Sequence, residues 1–525
     1  MPPAGSPSPT GRLRLPGLAG WPASLLAVLV CTALLGSVQF SFDGLSDGDS
    51  YFHTRAAREL DRHGIQRQFP QTVHSTWSAR YSDKDFLFHV LLIPFQRLAR
   101  SAPERAPIDE DLVTPGKQAV VALTLAFFLA LAWGLHALGV KLPWFWVVLF
   151  FVTEVNVLLR LLPARPELLG STLLVLEIAL CLRRRWLGLA VVGALHAWSH
   201  SSFVLLPVLA GLAAVASLLR GERPALSTFA AAAGGPLVGS VLHPYFPHDL
   251  SLIWDQVAHV ALGAWWGSAI PLDLFGPELD AGTTRPFLRA FPALAPAAAG
   301  IVAFLAASRR RLSTEGLALV LMAGLLLVAS FLSSRFFAVF FPVVILLDGR
   351  LWTELLRAEA ARDAPGCGRT RLHASLALLV LCLGAGLARG NVSVLRRHVR
   401  SMTTLDSQRP AVRFLGEQAR PEEIVYHNFW WDFNALYHYR PEGRYVVALD
   451  PVFFRRHDPA RFAKSLDAYR GRSEDLYRTL ANDFGAGWIY LAKVARHEPF
   501  FRLIRADPRF RIAYEDSQAV IVRLR

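Results

Sequence analysis

Residues 22–57 decide the fold, and they read PASLLAVLVCTALLGSVQFSFDGLSDGDSYFHTRAA. The part up to residue 40 is almost entirely apolar and has roughly the 20-residue length of a helix that crosses a bilayer core. It is long for the apolar region of a signal peptide, and no small-residue cleavage site follows it. We therefore expect a retained first membrane span, followed directly by a polar segment that runs to residue 85.

The rest of the chain continues this apolar character. Of the 525 residues, 53% are hydrophobic and only 18% are charged, whereas roughly a quarter of a soluble domain is charged. Composition and apolar runs therefore predict a polytopic α-helical membrane protein with about eleven spans. These spans are expected at 22–40, 118–140, 143–161, 167–182, 186–200, 201–219, 225–242, 291–307, 314–332, 337–348 and 374–390.

The net charge of +14 does not require a nucleic-acid partner. Much of it lies in arginine clusters between apolar runs, at 183–185, 220–223 and 309–311. Such clusters face the cytoplasm in membrane proteins. The apolar segment 86–95 is too short to cross, and treating it as an interfacial helix keeps all three clusters inside. The segments placed outside are then 41–117, 160–167, 243–286 and everything after about 390.

This topology divides the chain into three parts. Residues 1–20 are expected to form a cytoplasmic tail, 21–390 a transmembrane domain with an external catalytic loop at 41–117, and 391–525 an extracytoplasmic α/β domain. Within the last part, 445–449 and 488–492 are typical of buried strands, and 510–514 with 519–524 of a closing hairpin. Arginine far outnumbers lysine and alanine is abundant, as in a GC-rich bacterial genome, so we expect the bacterial inner membrane.

The polar segment after the first span carries the most informative chemistry. Asp47 and Asp49 stand on a glycine-bearing turn, and His53 and Arg55 follow. A carboxylate at the interface holds a divalent cation or takes a proton from an acceptor. An arginine beside it binds phosphate with two parallel hydrogen bonds. The alternative is a solvated acidic loop that caps the start of a helix.

The pattern D-x-Y-F-H-x-R at 49–55 resembles the first acidic motif of the GT-C glycosyltransferase superfamily. It is particularly similar to the D-P-Y-Y-H-x-R type of prokaryotic oligosaccharyltransferase catalytic subunits. The resemblance implies that Asp49 is the catalytic, metal-associated aspartate and that Asp47 is its neighbour. It also implies a divalent cation (Mg²⁺ or Mn²⁺) and a sugar donor linked to a polyprenyl phosphate or diphosphate.

The turn after the third expected span is the second candidate. Arg160 lies within or near hydrocarbon, where ionisable groups are costly and tend to be functional. The resemblance places the second acidic motif here, with Glu167 as a second metal ligand beside Asp49. The sequence departs from the usual acid pair, because Arg165 and Pro166 replace it, and full ligation of a metal is therefore open. Alternatively, Pro166 and Glu167 are an ordinary helix start.

Two further features lie at the ends of expected spans. His196 and His200 are four residues apart on one helix face, where they bind a metal ion, are satisfied inside the membrane part or contact a lipid headgroup. Arg335 precedes a short aromatic span, where it either reaches lipid phosphates or binds the donor phosphate. This arrangement resembles that of GT-C enzymes, which have an arginine near the donor phosphate in a late span.

The segment Trp430-Trp431-Asp432-Phe433 stands early in the C-terminal part. It resembles the W-W-D-Y-G motif with which oligosaccharyltransferases hold the acceptor, although Asn434 replaces the glycine. The alternative is an aromatic packing cluster, because aromatic residues crowd the whole segment.

The residues and the resemblance together imply an inverting glycosyl transfer on the outer membrane face. Asp49 would activate the acceptor or ligate a cation, Glu167 would assist, and Arg55 and Arg335 would neutralise the leaving phosphate. The expected partners are a polyprenyl-linked sugar donor, a protein, glycan or lipid acceptor, and membrane lipids. An en bloc oligosaccharyltransferase, a transporter or flippase of lipid-linked saccharide, and a membrane-anchored scaffold remain alternatives.

Overall fold

The structure is a computed structural model, and it describes residues 20–99, 106–153, 155–261, 312–360, 390–402 and 404–524, with the single positions 274, 383 and 387. Every contact and every absence given below concerns these residues. The expected spans 291–307 and 374–390 lie almost entirely outside them.

The membrane part consists of helices at the apolar runs, with one more in the polar segment 41–85 and one in the segment 243–286. In chain order they are α1 (Trp21–Gln39), α2 (Gly48–His63), α3 (Phe86–Leu98), α4 (Val113–Ala137), α5 (Pro143–Thr153), α6 (Val155–Arg160), α7 (Pro166–Leu182), α8 (Trp186–Ala197), α9 (Leu205–Leu219), α10 (Leu226–Val241), α11 (His248–Trp254), α12 (Thr314–Leu332) and α13 (Phe337–Ala360). Among the described residues, five helical segments are long and apolar enough to cross a membrane: Trp21–Gln39, Val113–Ala137, Ser201–Leu219, Thr314–Leu332 and Ser334–Arg357.

The expected short span at 337–348 is corrected by the structure, because α13 continues to Ala360. Its apolar run ends at residue 347, but the charged residues beyond it are held inside the helix. Arg350 Nε donates to Glu354 at 2.8 Å, one turn further on, and Arg350 Nη1 donates to the Leu138 carbonyl. These partners replace the water that an exposed arginine would need, and so the helix extends.

Helix α4 is central in the membrane part. It packs against α1, α3 and α7, and α13 packs against α4, α5 and α7. The interface is filled by fully buried aromatic side chains, including Phe127, Phe128 and Phe150. Because these helices are apolar on most faces, packing between them rather than amphipathicity decides their order.

Helix α2 is enclosed although it lies in a polar segment. Its residues from Ser50 to Arg58 are all buried. The helix packs against α3, against α4 and against a helix of the C-terminal part. The Asp47 carboxylate caps its start by accepting from the Ser50 amide at 3.0 Å. This fixed start determines where the next carboxylate, Asp49, points.

The C-terminal part is a five-stranded sheet covered by helices on both faces. Its strands are β1 (Ile424–His427), β2 (Arg444–Tyr445), β3 (Ala486–Ala492), β4 (Phe510–Glu515) and β5 (Ala519–Leu524), in the order β2-β1-β3-β5-β4. β2, β1 and β3 are parallel, and β5 pairs antiparallel with β3 and β4. Its helices are α14 (Asn391–Ser401), α15 (Arg409–Gln418), α16 (Asp432–Tyr439), α17 (Pro451–His457), α18 (Pro459–Tyr469) and α19 (Glu498–Ala506), with a short helical segment at 476–483.

Alternating side chains of β3 divide the two cores of this part. Trp488 and Tyr490 face the core that contains Phe52, whereas Ile489 and Leu491 face the opposite core. This is the period of two that a doubly buried strand shows. Because Phe52 belongs to α2, one face of the sheet is joined to the membrane part by a shared aromatic core.

The expected strand at 488–492 and the expected hairpin at 510–524 are confirmed. The expected strand at 445–449 is only partly present, because β2 ends at Tyr445. Backbone hydrogen bonds of residues 445–446 go instead to the polar segment, through the Val73 and His74 amides. Leu449 then takes a left-handed φ of 47°, which is incompatible with a strand.

Candidate active site

One cavity of about 390 Å³ lies where the ends of several helices meet the C-terminal part. Its wall is contributed by the start of α2, the loop before α3, the start of α7, the turn before α9, the turn between α12 and α13, and the start of α17. A second cavity of about 520 Å³ lies at the opposite end of α7, but it contains none of the predicted site residues. We therefore take the first cavity as the candidate active site.

The predicted carboxylates Asp47, Asp49 and Glu167 converge on a single side chain, that of Arg165. Arg165 Nε pairs with Asp47, Nη2 lies 2.7 Å from Asp49 Oδ2, and Nη1 lies 3.9 Å from Glu167 Oε2. Asp49 and Glu167 line the cavity, and Asp49 is the most exposed of the three at 35%. Asp49 is thus the carboxylate most accessible to a substrate.

Asp49 has a second partner, from the C-terminal part. Asn434 Nδ2 of α16 donates to Asp49 Oδ1 at 3.1 Å. The α2 start is tied to the loop before α7 as well, because the Ala164 amide donates to Ser50 Oγ at 2.9 Å. The Asp49 carboxylate is therefore oriented from both sides, which is what a reacting group requires. Burial raises the pKa of Asp47 above its ordinary value, and the charge of Arg165 acts against this effect.

The residues present do not fit a divalent cation at Asp49 and Glu167 as they are arranged. A guanidinium lies between the carboxylates that would have to be the ligands. Within the described part of the chain, no group of three His, Cys, Asp or Glu side chains is placed to hold a metal ion. A cation bound there would need ligand oxygens at about 2.0–2.6 Å, in space that the guanidinium now occupies.

Cationic side chains line the same cavity. Lys84 and Arg335 both belong to its wall, and Lys84 Nζ donates to both oxygens of Asp85, at 2.8 and 2.7 Å. Arg160 is not among the lining residues, but its Nη2 lies 3.3 Å from Ser334 Oγ, beside Arg335. Lys84 and Arg335 thus belong to the same cavity wall as Asp49.

Histidines form a connected chain at the wall. His53 Nδ1 is 2.9 Å from His89 Nε2, and His89 Nδ1 is 2.6 Å from Asp83 Oδ2. Burial lowers the pKa of His53 well below its ordinary value, so this ring is neutral at physiological pH. His53 lines the cavity and remains a predicted contact of the substrate.

The predicted histidine pair of the membrane part is satisfied internally. His196 Nδ1 lies 3.0 Å from the Glu177 carboxylate, and its Nε2 lies 2.8 Å from Ser202 Oγ. Ser202 Oγ is also 2.8 Å from His200 Nδ1, and His200 borders the cavity. The structure therefore favours the alternative of satisfied intramembrane histidines for His196.

The prediction that Arg55 binds a donor phosphate is corrected. Arg55 is completely buried, at 0% exposure, and does not line the cavity. Its guanidinium donates to the His438 carbonyl, the Glu110 carboxylate and the Pro107 carbonyl, at 2.6–2.7 Å. Each of its three nitrogens thus donates one hydrogen bond, to the C-terminal part at His438 and to the segment at 107–110, which is a structural role.

The prediction for the Trp-Trp-Asp segment is also corrected in part. Trp430 packs on Phe429 inside the C-terminal part, with ring centroids 3.8 Å apart. Asp432 is buried near His497, and burial raises the pKa of this carboxyl well above its ordinary value. Trp431 is 39% exposed and lies against Gly48, next to Asp49.

Sequence reasoning missed Lys84, Asp83 and Asn434. The first two belong to the charged run Asp83-Lys84-Asp85, which directly precedes an apolar helix, and that contrast was the available signal. Asn434 was noticed only as a departure from a motif, yet it is the residue of α16 that reaches Asp49.

Comparisons with known proteins show the fold. No family model matches the chain, and no curated protein matches it. Among solved structures, it is similar to the archaeal oligosaccharyltransferase AglB from Archaeoglobus fulgidus in complex with an inhibitory peptide and a dolichol-phosphate. That similarity has a TM-score of 0.60 and 12% identity, over 89% of this chain and 69% of AglB.

The chain is also similar to ArnT from Cupriavidus metallidurans bound to undecaprenyl phosphate. Here the TM-score is 0.56 at 13% identity, over 96% of this chain and 98% of ArnT. At such identities the likeness shows a shared fold. The chain therefore shares the fold of these two proteins, a GT-C-like fold with several apolar helices and a small C-terminal sheet domain, which is the fold class expected from the sequence.

Proposed function

We propose that this protein transfers a sugar from a polyprenyl-phosphate or polyprenyl-diphosphate donor to an acceptor, on the extracytoplasmic side of a bacterial inner membrane. One observation carries the proposal. A single cavity combines the accessible carboxylate of Asp49 with the cations Lys84 and Arg335. The rest of its wall includes the apolar side chains of Leu205 and Val339. A polyprenyl-linked donor likewise combines a charged phosphate with an apolar chain.

The reaction follows from this arrangement. An acceptor hydroxyl attacks the anomeric carbon while the bond from that carbon to the phosphate oxygen breaks, which inverts the configuration. The hydroxyl proton passes to Asp49, and the electrons of the broken bond leave with the phosphate. Lys84 and Arg335 stabilise the charge that develops there. Trp431, beside Asp49 at the edge of the C-terminal part, is proposed to contact the acceptor.

Transfer of a single sugar is favoured over en bloc transfer of an oligosaccharide. The similarity to ArnT extends over nearly the whole of both chains, whereas AglB is covered to 69%. None of the three residues of the Trp-Trp-Asp segment, which resembles an oligosaccharyltransferase motif, lines the cavity. A transporter of lipid-linked saccharide remains the second candidate, because it also requires an amphipathic cavity.

The test measures sugar transfer by membranes that contain the wild type, Asp49→Asn or Asp43→Asn, with a panel of radiolabelled polyprenyl-linked sugars. Asp49→Asn is expected to lose about 100-fold or more in rate, the usual contribution of a general base. Asp43 is exposed in the same loop and does not line the cavity, so Asp43→Asn should retain transfer. Equal rates in both variants would refute the role of Asp49. Absence of transfer by the wild type from every donor would favour the transporter.

A further inference from the structure

The guanidinium of Arg165 is the centre of the acidic cluster. Asp47, Asp49 and Glu167 each lie within ion-pair distance of a different nitrogen of this one side chain. An arginine is charged at every physiological pH and presents its donors in a fixed plane. It therefore holds in fixed positions three carboxylates that would otherwise repel each other.

The position of Arg165 is itself fixed. The residue is the N-cap of α7, with an extended backbone (φ −121°, ψ 149°), and Pro166 follows at the first helical position. Its side chain is only 14% exposed. A long, flexible arginine is thereby held in one place, so that little conformational freedom remains to be lost during a reaction.

We propose that Arg165 supplies the positive charge that a divalent cation would otherwise supply between Asp49 and Glu167, so that this site works without a divalent cation. The expected effect of Arg165 on sugar transfer rests on the proposed function, whereas its expected effect on the binding of a divalent cation does not. Arg165 acts as a positioning residue, because it orients Asp49 through Nη2 and screens Asp49 from Asp47. Removing it should leave a cluster of carboxylates, which is the type of site that Mg²⁺ and Mn²⁺ bind.

The first test measures Mn²⁺ binding to the purified full-length chain in detergent, from the electron paramagnetic resonance signal of free Mn²⁺. The wild type is expected to bind no Mn²⁺ at this cluster. Arg165→Ser should gain one Mn²⁺ site, and adding Glu167→Gln should abolish it. Arg67→Ser removes a cation that pairs with the Pro244 carbonyl outside the cavity, and it should gain none. A wild-type Mn²⁺ site that Asp49→Asn abolishes would overturn the inference.

The second test measures transfer after treatment with a chelator. Wild-type transfer should change less than twofold, whereas Arg165→Ser should lose about 100-fold and regain at least part of that loss with added Mn²⁺. A purely structural role would give a loss that Mn²⁺ does not restore, and this result would refute the inference. If Arg165→Ser does not fold, the two wild-type measurements still decide it. Absent transfer from every donor would refute the proposed function alone, because Mn²⁺ binding is measured without turnover.

Discussion

Replacing Asp450 with asparagine is expected to stabilise this protein at neutral pH. Asp450 caps α17 by accepting from the Val452 amide at 2.9 Å, and it borders the cavity. It is half-buried, and the loss of solvation there raises its pKa from 3.8 to about 6. The folded state therefore favours the neutral carboxyl, although the carboxyl is ionised at pH 7.

The sign and the size of this change in stability follow from proton binding at Asp450. Between pH 3.8 and about pH 6 the folded chain holds a proton at Asp450 that the unfolded chain has released, so the free energy of unfolding falls as pH rises. A shift of about two pKa units corresponds to about 3 kcal/mol, at roughly 1.4 kcal/mol per unit. Asparagine keeps the capping oxygen and cannot ionise. Asp450→Asn should therefore match the wild type near pH 4 and exceed it by up to about 3 kcal/mol at pH 7.

Asp458 provides a matched control with the opposite sign. It caps the next helix, α18, by accepting from the Arg461 amide at 2.9 Å, and this bond together with the Arg461 charge lowers its pKa. Its stabilisation is present above its unfolded pKa and is lost as pH falls, so Asp458→Asn should weaken the fold at pH 7. Thermal unfolding in detergent, followed by tryptophan fluorescence from pH 4 to pH 8, compares the two. A pH-independent effect of Asp450→Asn, or the same sign for both variants, would refute the reasoning.

Two further predictions concern packing. Glu110 accepts hydrogen bonds from three buried or half-buried arginines, so Glu110→Gln should lower the free energy of unfolding by about 3–5 kcal/mol. Glu422 belongs to an exposed ion pair, so Glu422→Gln should lower it by less than about 1 kcal/mol in the same thermal-unfolding assay. A Cβ at Gly48 would overlap the indole nitrogen of Trp431, so Gly48→Ala should reduce transfer and stability together. Gly234→Ala, where a Cβ meets nothing within 4 Å, should change neither, and equal behaviour of the two alanine variants would contradict the predicted clash.

Much of the fold was predictable from local sequence, because a long apolar run has few other places to go than a membrane. The start of α1, the strand β3 and the closing hairpin follow from composition and from period-two alternation. The length of α13 was not predictable, because it depends on the hydrogen bonds that Arg350 donates to Glu354 and to the Leu138 carbonyl. Leu138 is distant in sequence and Glu354 is one helical turn away, and the pattern of apolar residues predicts neither contact.

The site was predictable only where a residue and its neighbours are close in sequence. Asp49 and Glu167 were identified from short motifs, and the structure brings both to one cavity. Arg55 was misassigned because its partner Glu110 is 55 positions away and buries it. Asn434 could not be assigned, because its contact with Asp49 arises from the docking of α16 against α2.

The hydrogen bond between Asn434 and Asp49 has a consequence for how the protein is made. The two residues are 385 positions apart, so the ribosome has completed the helices α1 to α13 well before Asn434 exists. A chain whose synthesis stops before α16 would carry an incomplete cavity, because α17 contributes part of the wall, and an Asp49 carboxylate without Asn434 or Trp431 beside it. Under the proposed function, competence for transfer is thereby deferred until the C-terminal part has been synthesised and docked.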